Sequence, residues 1–352
     1  MGQNCGDVEK NSIKILSLLG SNSNGGAENF FDRLILSLNK RKEIDVHAAI
    51  RKNKNRFQTF RENKINVNKI NFLNIFSFIT HYNLNKICRK FNPDIIFTMM
   101  NRASSMLRGI SESKAKKIAR LGGYYKLKYY THCDYLIANT PNIKEYLILN
   151  GWDKNKVIYL PNFAQENKSI KKLRKRNENN FILLGVGRFH ENKNFEILVK
   201  ALKYLRNCQL WLVGSGKFKK HYLALAQNDN TINKLKIFDW TEKIQTFYSK
   251  ADILVCPSRI EPLGNIILEG WYHKIPIIAS DASGPNYLIN HGFNGLKFKN
   301  DNQSELVFRI KELMKDYKKS KILIKNGYST YQKKYSEKIV TQKYLDFFKK
   351  VI

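Results

Sequence analysis

The stretch Ser258–Gly270, SRIEPLGNIILEG, carries two carboxylates, Glu261 and Glu269, with seven residues between them. Gly264 lies just before an apolar run, so the pattern predicts a helix that begins there and directs its first N–H groups toward a ligand. Eight residues span about 12 Å along a helix axis, whereas the two carboxylates of a glycosidase lie roughly 5–9.5 Å apart. We therefore expect these carboxylates to accept hydrogen bonds from different diols of one extended ligand.

Two cations and two glycines follow predicted strands elsewhere in the chain. Arg188 and Lys193 come after the predicted strand Phe181–Gly187 and before a predicted helix. Two cations at the carboxyl end of a strand suit a diphosphate, although in so basic a chain either one alone is better explained as a solvated surface charge. Gly25 and Gly26 also lie between a predicted strand and a predicted helix, where glycine N–H groups approach an anion or simply form a tight turn.

Buried-strand runs alternate with amphipathic helical segments in both halves of the chain, which predicts two doubly wound parallel sheets of the α/β class. The polar segment Gln165–Asn180 lacks an apolar period and is typical of a linker. A chain of 352 residues is also too long for one ordinary core. We expect an N-terminal domain over 1–164, joined by a C-terminal helix over 335–352, and a second domain over 165–334.

The chain is strongly basic, with 62 Lys and Arg against 29 Asp and Glu and a formal net charge of +33. Such an excess favours an anionic partner, whether nucleic acid, an anionic membrane or a phosphorylated substrate. Asn, Ile and Lys are used heavily throughout the sequence, as happens in an AT-rich genome, and this explains the excess equally well. Charge by itself therefore selects no partner.

Cysteine usage and hydropathy predict the cellular compartment of the protein. The five cysteines are scattered and odd in number, which favours free thiols in a reducing compartment, and their spacing builds no zinc site. The N-terminus is polar and lacks the apolar core of a signal peptide. The most apolar window, Ile70–Thr80, is too short to cross a bilayer. We expect a cytoplasmic protein, peripheral on the inner face of the plasma membrane.

Five motifs in order resemble those of the retaining family 4 glycosyltransferases of GT-B fold, the glycosyl transferases group 1. They are GGAE, ILLGVGRFHENKNFEILVKAL, LWLVGSG, YSKADILVCPSRIEPLGNIILEGW and IPIIASDASGPNYLINHGFNGLKF. The segment RLGGYYKLKYY resembles a subset of bacterial members that build lipopolysaccharide or capsular glycans. The resemblance covers most of the second half of the chain. It implies two Rossmann-like domains that face each other across a cleft.

The resemblance also implies a role for each matching residue. Glu261 would bind the transferred sugar and Glu269 the nucleotide ribose, while Arg188 and Lys193 hold the diphosphate. The GG loop would close on the diphosphate from the other domain, and the strand before Asp239 would contact the base through its backbone. Glu261, Arg188 and Lys193 are thus expected to act in catalysis. The full set expected to bind the donor is Gly25, Gly26, Arg188, Lys193, Ile237, Phe238, Glu261, Leu263, Gly264, Asn265, Ile266 and Glu269.

The implied reaction moves a hexose from a nucleotide diphosphate sugar to a glycolipid or glycan acceptor, with retention at the anomeric carbon. A UDP-sugar is the expected donor. The segments Met99–Ser105 and Ile118–Tyr125 contain no Asp or Glu that could serve as a nucleophile. A front-face attack, in which a departing phosphate oxygen takes the acceptor proton, therefore fits better. No metal or other cofactor is expected, because two cations can neutralise the diphosphate.

The first half departs from the family pattern. Many members carry a His near the sugar after a middle strand, and the corresponding segments here have none. The acceptor-side candidates are Asn101, Arg102 and Arg120. The segment Arg102–Lys128 is rich in cations and tyrosines, which suits an anionic membrane surface with a lipid-linked acceptor or, equally simply, a solvated Lys-biased face.

Other functions compete with this interpretation. A basic nucleic-acid-binding or membrane-binding protein without transferase activity explains the charge but not Glu261 and Glu269 beside two cations. We therefore expect no nucleic-acid partner. A dinucleotide-dependent oxidoreductase requires GxGxxG, and GVGRFH lacks the third glycine. A glycoside phosphorylase or a nucleotide-sugar epimerase would share the fold, and a requirement for free phosphate or an added cofactor would reveal either one.

Overall fold

The computed structural model describes residues 12–72, 77–111, 113–166 and 180–352. The chain divides into two compact units. Unit 1 comprises the chain up to Asn162 together with Val340–Ile352, and unit 2 comprises Phe163–Ile339. Most of the expected linker, residues 167–179, lies outside the described residues, as does Glu112 in the basic segment.

Unit 1 is built on a seven-stranded parallel sheet of order β3-β2-β1-β4-β5-β6-β7. The inner strands are short and largely buried, as expected for a sheet with helices on both faces, whereas the edge strand Asn66–Lys69 is mostly exposed. The strands are β1 (Ile13–Leu19), β2 (Ile44–Ile50), β3 (Asn66–Lys69), β4 (Ile95–Met99), β5 (Lys116–Leu121), β6 (Tyr135–Ala138) and β7 (Val157–Tyr159). The helices are α1 (Gly26–Asn39), α2 (Lys54–Glu62), α3 (Ser77–Phe91), α4 (Asn101–Ser105) and α5 (Pro141–Leu149).

Unit 2 repeats this plan with a six-stranded parallel sheet of order β10-β9-β8-β11-β12-β13. The strands are β8 (Phe181–Val186), β9 (Cys208–Val213), β10 (Leu235–Phe238), β11 (Ile253–Cys256), β12 (Ile277–Ser280) and β13 (Leu296–Phe298). The helices are α6 (Phe195–Ala201), α7 (Lys219–Asn228), α8 (Gln245–Tyr248), α9 (Asn265–Tyr272), α10 (Ser283–Leu288), α11 (Gln303–Lys315) and α12 (Tyr317–Lys334). The predicted pair of doubly wound, Rossmann-like sheets is confirmed.

The last helix, α13 (Glu337–Val351), has most of its length in unit 1. Its apolar face packs on the unit 1 sheet, where the rings of Tyr344 and Phe348 meet the ring of Phe97 edge-on at 6.3 and 5.9 Å. A buried hydrogen bond of 2.8 Å also joins Ser37 of α1 to Thr341. The burial of these large rings, about 1.5–3 kcal/mol each, fixes the end of the chain on the first sheet.

Strand order determines where a ligand can bind in each unit. The order reverses between β1 and β4 in unit 1, and between β8 and β11 in unit 2. Ligands of open α/β sheets bind outside the carboxyl ends of the strands at such a reversal, because the flanking loops diverge and leave a crevice. The loops after β8 and β11 carry Lys193 and Glu261, and the loops after β1 and β4 carry Gly25 and Asn101.

Candidate functional site

The loops at the carboxyl ends of β8 and β9 approach each other through glycines. A Cβ at Gly214 would lie 1.9 Å from the carbonyl oxygen of Gly187, so no side chain fits there. The N–H of Gly187 donates to the Val213 carbonyl at 3.0 Å, and the N–H of Phe189 donates to the Ser215 carbonyl at 2.8 Å. This close approach fixes the backbone on both sides of Arg188.

Lys193 ends the 3₁₀ turn Glu191–Lys193 and donates a hydrogen bond from Nζ to Oε2 of Glu261. The two residues are 68 positions apart, and their side chains are 29% and 12% exposed. Burial opposes the charge on Lys193, but the adjacent Glu261 carboxylate outweighs it and raises the pKa of the lysine. The pair is therefore an ammonium–carboxylate pair at neutral pH, at the reversal point of the unit 2 sheet.

Glu261 is held through both its side chain and its main chain. Its carboxylate accepts hydrogen bonds from Ser258 Oγ at 3.3 Å and from the N–H of Gly264 at 3.2 Å. Its carbonyl oxygen accepts from the N–H of Gly284 at 2.8 Å. A Cβ at Gly284 would lie 2.6 Å from that same oxygen, so only glycine allows the first turn of α10 to come this close. The carboxylate is thus preorganised before any ligand binds.

The helix expected after Glu261 is α9, and Gly264 precedes it in the left-handed conformation with φ 89°. This conformation turns the chain sharply, so that Leu263 is buried and the first turn of α9 begins with Asn265 and Ile266. The first N–H groups of a helix lack partners within the helix and carry partial positive charge. The prediction of a helix start beside Glu261 is therefore confirmed, and α9 begins four residues before Glu269.

Glu269 lies in α9 and accepts a hydrogen bond of 2.5 Å from Oη of Tyr248, the last residue of α8. Tyr248 is buried, and its ring stacks on His273 with a centroid distance of 4.7 Å and an interplanar angle of 16°. A buried, stacked phenol has a single orientation available, so it fixes the plane of the carboxylate that it contacts. Tyr248 lies in the YSKAD motif, but nothing in the spacing links it to Glu269, so this contact could not be predicted from the sequence.

The expected base-binding residues, Ile237 and Phe238, form the end of β10 and are half-buried. The ring of Phe238 packs edge-on against Trp211 and Phe247 at 5.4 and 4.8 Å. Its carbonyl oxygen accepts from the N–H of Gly214 at 3.0 Å. The end of β10 is therefore tied to the glycine turn after β9, at the same edge of the sheet as Lys193.

Arg188 differs from Lys193 in its surroundings. Its side chain is exposed, and it forms no hydrogen bond or ion pair with another residue in the described parts of the chain. Its charge is nevertheless close enough to oppose the charge of Lys193. The structure brings Lys193, Glu261 and the start of α9 into direct contact and leaves the Arg188 guanidinium in solvent beside them.

In unit 1, Gly25 and Gly26 lie at the start of α1. A third residue of the GGAE motif, Glu28, binds the loop that precedes this helix. Glu28 is 4% exposed, and its carboxylate accepts hydrogen bonds from the hydroxyls of Ser21 and Ser23. A Cβ at Gly25 would lie 2.6 Å from Oε2 of Glu28, so a side chain at this position would displace the carboxylate. Burial raises the pKa of Glu28, but the two hydroxyl hydrogen bonds outweigh it, and the pKa lies below its ordinary value.

The acceptor-side candidates occupy two different environments. Asn101 and Arg102 begin α4, after β4; Asn101 Oδ1 accepts from Tyr130 Oη at 2.5 Å, and Arg102 is exposed. Arg120 is 2% exposed in β5, donates to Tyr344 Oη at 3.2 Å and to Asn162, and lies over the ring of Phe30 at 4.4 Å. These contacts hold α13 against β5, and the acceptor-side role of Arg120 stays a prediction.

Comparison with known proteins establishes the family. Residues 166–330 match the family model described as glycosyl transferases group 1. Over 330 residues the chain is 31% identical to the lipopolysaccharide core biosynthesis glycosyltransferase LpsD of Rhizobium meliloti (strain 1021), covering 92% of this chain and 95% of LpsD. The chain belongs to the glycosyl transferases group 1. This glycosyltransferase is also 27% identical over 326 residues to LpsE of the same organism, with 91% and 95% coverage.

Solved structures agree with this assignment at the level of the fold. The structure of Anabaena HepE in complex with UDP and glucose matches with a TM-score of 0.82 and 18% identity, over 96% of this chain and 100% of that chain. A glycosyltransferase from Rickettsia africae matches with a TM-score of 0.82 and 20% identity, over 97% and 98% of the two chains. The predicted GT-B fold of this glycosyltransferase is confirmed.

The basic segment of the glycosyltransferase, Arg102–Lys128, is not uniformly on the surface. Lys117 points inward and donates from Nζ to the carbonyls of Leu107 and Ile110 at 3.3 and 2.8 Å. Tyr130, two residues beyond the segment, is buried. The segment's other cations in the described residues are exposed, apart from the buried Arg120. Among the described parts of the chain, no helix is long and apolar enough to cross a membrane.

The half-buried His273 beside Tyr248 predicts a pH dependence of stability. Burial lowers the pKa of His273 from 6.5 to about 4, so between these values the unfolded chain binds more protons and stability falls as the pH decreases. At about 1.4 kcal/mol per pKa unit, the loss is at most about 3 kcal/mol at pH 4. Urea unfolding at pH 7 and pH 4.5 measures it, and His273→Phe, which keeps a stacking ring, is expected to lose clearly less stability than the wild type.

The exposed His132 supplies the matched control, since His132→Phe should follow the wild type. An equal loss of stability on acidification in His273→Phe and in the wild type would show that His273 does not cause the pH dependence.

Proposed function

We propose that this glycosyltransferase transfers a hexose from a UDP-sugar, with retention at the anomeric carbon, to a glycolipid or glycan acceptor. The acceptor would belong to lipopolysaccharide core or cell-surface polysaccharide synthesis, at an anionic membrane surface on the cytoplasmic side. The names of LpsD and LpsE support the lipopolysaccharide context, and the HepE complex supports UDP as the nucleotide. The observation that carries the proposal is the contact of Lys193, Glu261 and the start of α9 at the strand-order reversal of unit 2.

Each part of a nucleotide sugar has a suitable group in this arrangement. Lys193, Arg188 and the first N–H groups of α9 are positive and suit the diphosphate. Glu261 lies against Lys193, so a sugar bound to this carboxylate has its anomeric oxygen beside the cation that must stabilise the leaving phosphate. Glu269 lies in the second turn of α9, where its carboxylate suits the ribose diol, and the end of β10 suits the base. The roles of Gly25 and Gly26 toward the diphosphate stay a prediction.

The chemistry follows from the charges. The bond between the anomeric carbon and the diphosphate oxygen breaks, and the electron pair leaves with the diphosphate, whose negative charge Lys193 and Arg188 stabilise. The acceptor hydroxyl oxygen forms the new bond on the face from which the diphosphate departs, and a phosphate oxygen takes its proton. Glu261 holds the sugar hydroxyls and keeps Lys193 charged, so its contribution is orientation and electrostatics.

Calorimetric titration with a panel of nucleotide sugars tests the proposal most directly. The panel contains UDP-glucose, UDP-galactose, UDP-N-acetylglucosamine, ADP-glucose and GDP-mannose, with the corresponding free diphosphates. We expect one or more UDP-sugars to bind and the others to bind more weakly. If no nucleotide sugar binds to a protein whose unfolding transition is cooperative, the proposal is wrong. Proton NMR of the transferred sugar then determines whether the anomeric configuration is retained.

A further inference from the structure

The outward face of α3 combines large apolar side chains with cations. Six residues of α3 are exposed, and at about 100° per residue they all fall within one sector of about 120°. Thr80, Leu84 and Cys88 occupy the opposite side and are buried. The six exposed residues are Phe78, Ile79, Tyr82, Lys86, Arg89 and Lys90.

The exposure of the apolar members is large. Phe78 is 65% exposed, Tyr82 63% and Ile79 44%. Single exposed apolar residues are ordinary on protein surfaces, but three within one turn of helix form a patch. The three cations follow in the next two turns, with Arg89 about 16 Å along the helix axis from Phe78. The helix contains no Asp or Glu, so the outward face is apolar at its N-terminal end and purely cationic at its C-terminal end.

The face is held outward by firm packing of the rest of the helix. Asn85 donates from Nδ2 to the carbonyl of Gly109 at 2.7 Å and to the carbonyl of His81 at 3.0 Å. The His81 ring lies so close to Gly109 that a Cβ there would be 2.2 Å from its Cγ. The exposed Arg108 precedes this glycine and adds a fourth cation beside the helix. These contacts fix α3 against the rest of unit 1, so Phe78 and Tyr82 are held pointing outward.

We propose that the outward face of α3 binds an anionic lipid bilayer. Phe78, Ile79 and Tyr82 would enter the interfacial region, where aromatic rings and apolar side chains are favoured, and the cations of the same face would contact lipid phosphates. Charge complementarity selects this occupant. A second copy of the chain would bring the same acid-free cationic face against its own image, and like charges repel.

The outward face of α3 differs from the segment Arg102–Lys128, in which Lys117 and Arg120 face inward. The inference rests on the proposed function in one respect, since a lipid-linked acceptor gives the enzyme a reason to reach the bilayer. Binding to lipid needs no donor, however, so it can be measured separately from sugar transfer.

Vesicle flotation with the full chain tests the proposal. Wild type is expected to float with vesicles of phosphatidylcholine and phosphatidylglycerol, to float far less with phosphatidylcholine alone, and to detach as salt is raised. Phe78→Ser combined with Tyr82→Ser should weaken binding at least about tenfold, because both rings leave the interface. Lys86→Gln with Arg89→Gln should weaken it about 25-fold, at roughly fivefold per charge near the surface.

Matched controls come from unit 2, where Phe308 is 60% exposed and Lys315 and Lys318 are exposed. Phe308→Ser and the pair Lys315→Gln, Lys318→Gln should bind vesicles like the wild type. The α3 variants change only exposed side chains, so their melting temperatures and their affinity for UDP in solution should be unchanged. Loss of UDP-sugar binding with retained flotation would overturn the proposed function and leave this inference standing.

Three results would overturn the inference. The first is flotation of the α3 variants to the same extent as the wild type. The second is equal flotation of the wild type with uncharged vesicles. The third is a dimer, seen by sedimentation, that Phe78→Ser abolishes. The last outcome would assign the face to a second copy of the chain.

Discussion

Glu261→Ala is expected to abolish sugar transfer while it leaves affinity for free UDP within about threefold. The carboxylate lies against Lys193, Ser258 and the N–H of Gly264, which places it on the sugar side of the proposed diphosphate position. Loss of a preorganised group that stabilises the transition state typically costs about 10²–10³ in rate, and loss of the sugar contact adds to this. Lys193 and α9 stay in place to bind the diphosphate. Initial rates of transfer and calorimetric titration with UDP measure the two effects.

Two further variants make the result interpretable. Glu261→Gln keeps an oxygen that can accept from the Gly264 N–H but removes the charge that raises the Lys193 pKa, so we expect partial recovery at most. Glu145→Ala changes an exposed glutamate of α5 and should have the activity of the wild type. A Glu261→Ala enzyme that turns over within tenfold of this control, or that loses transfer and UDP affinity in equal proportion, would contradict the assigned role.

Glu269→Ala is expected to weaken UDP binding itself, on the order of 10- to 100-fold. The carboxylate would lose the hydrogen bonds from a ribose diol, and a hydrogen bond to a charged group is worth about 1.5–3 kcal/mol, at about 1.4 kcal/mol per factor of ten. Calorimetry with UDP and with 2′-deoxy-UDP measures this. Wild type should prefer the ribonucleotide, and Glu269→Ala should bind both alike, because the group that distinguishes them is gone.

Tyr248→Phe is the matched companion of this change. It removes one hydroxyl 2.5 Å from the Glu269 carboxylate and keeps the ring that stacks on His273. Since Tyr248 acts through Glu269, its effect on UDP affinity should be smaller than that of Glu269→Ala, and the double variant should be no weaker than Glu269→Ala alone. Equal effects of Glu261→Ala and Glu269→Ala on UDP affinity, or additive effects of Tyr248→Phe and Glu269→Ala, would refute this division of roles.

The elements of the fold followed from local patterns where those patterns were strong. Buried strands such as β1, β4 and β11 are predominantly apolar runs, and a glycine before an apolar stretch indicated the helix start at Gly264. The edge strand β3, with sequence NVNK, has no such run and was not identified. An edge strand has one neighbour and little buried surface, so its sequence is under weaker constraint.

The sequence by itself determined the α/β class, the two sheets, the order of the motifs and the presence of carboxylates and cations after particular strands. Only the tertiary structure decided which of these groups touch. Lys193 meets Glu261 across 68 residues because β8 and β11 are neighbours at the strand reversal, and Tyr248 meets Glu269 because α8 packs beside α9. Strand order also buried Arg120 under α13. Periodicity records which face of an element is buried, and it carries no information on which element lies beside it.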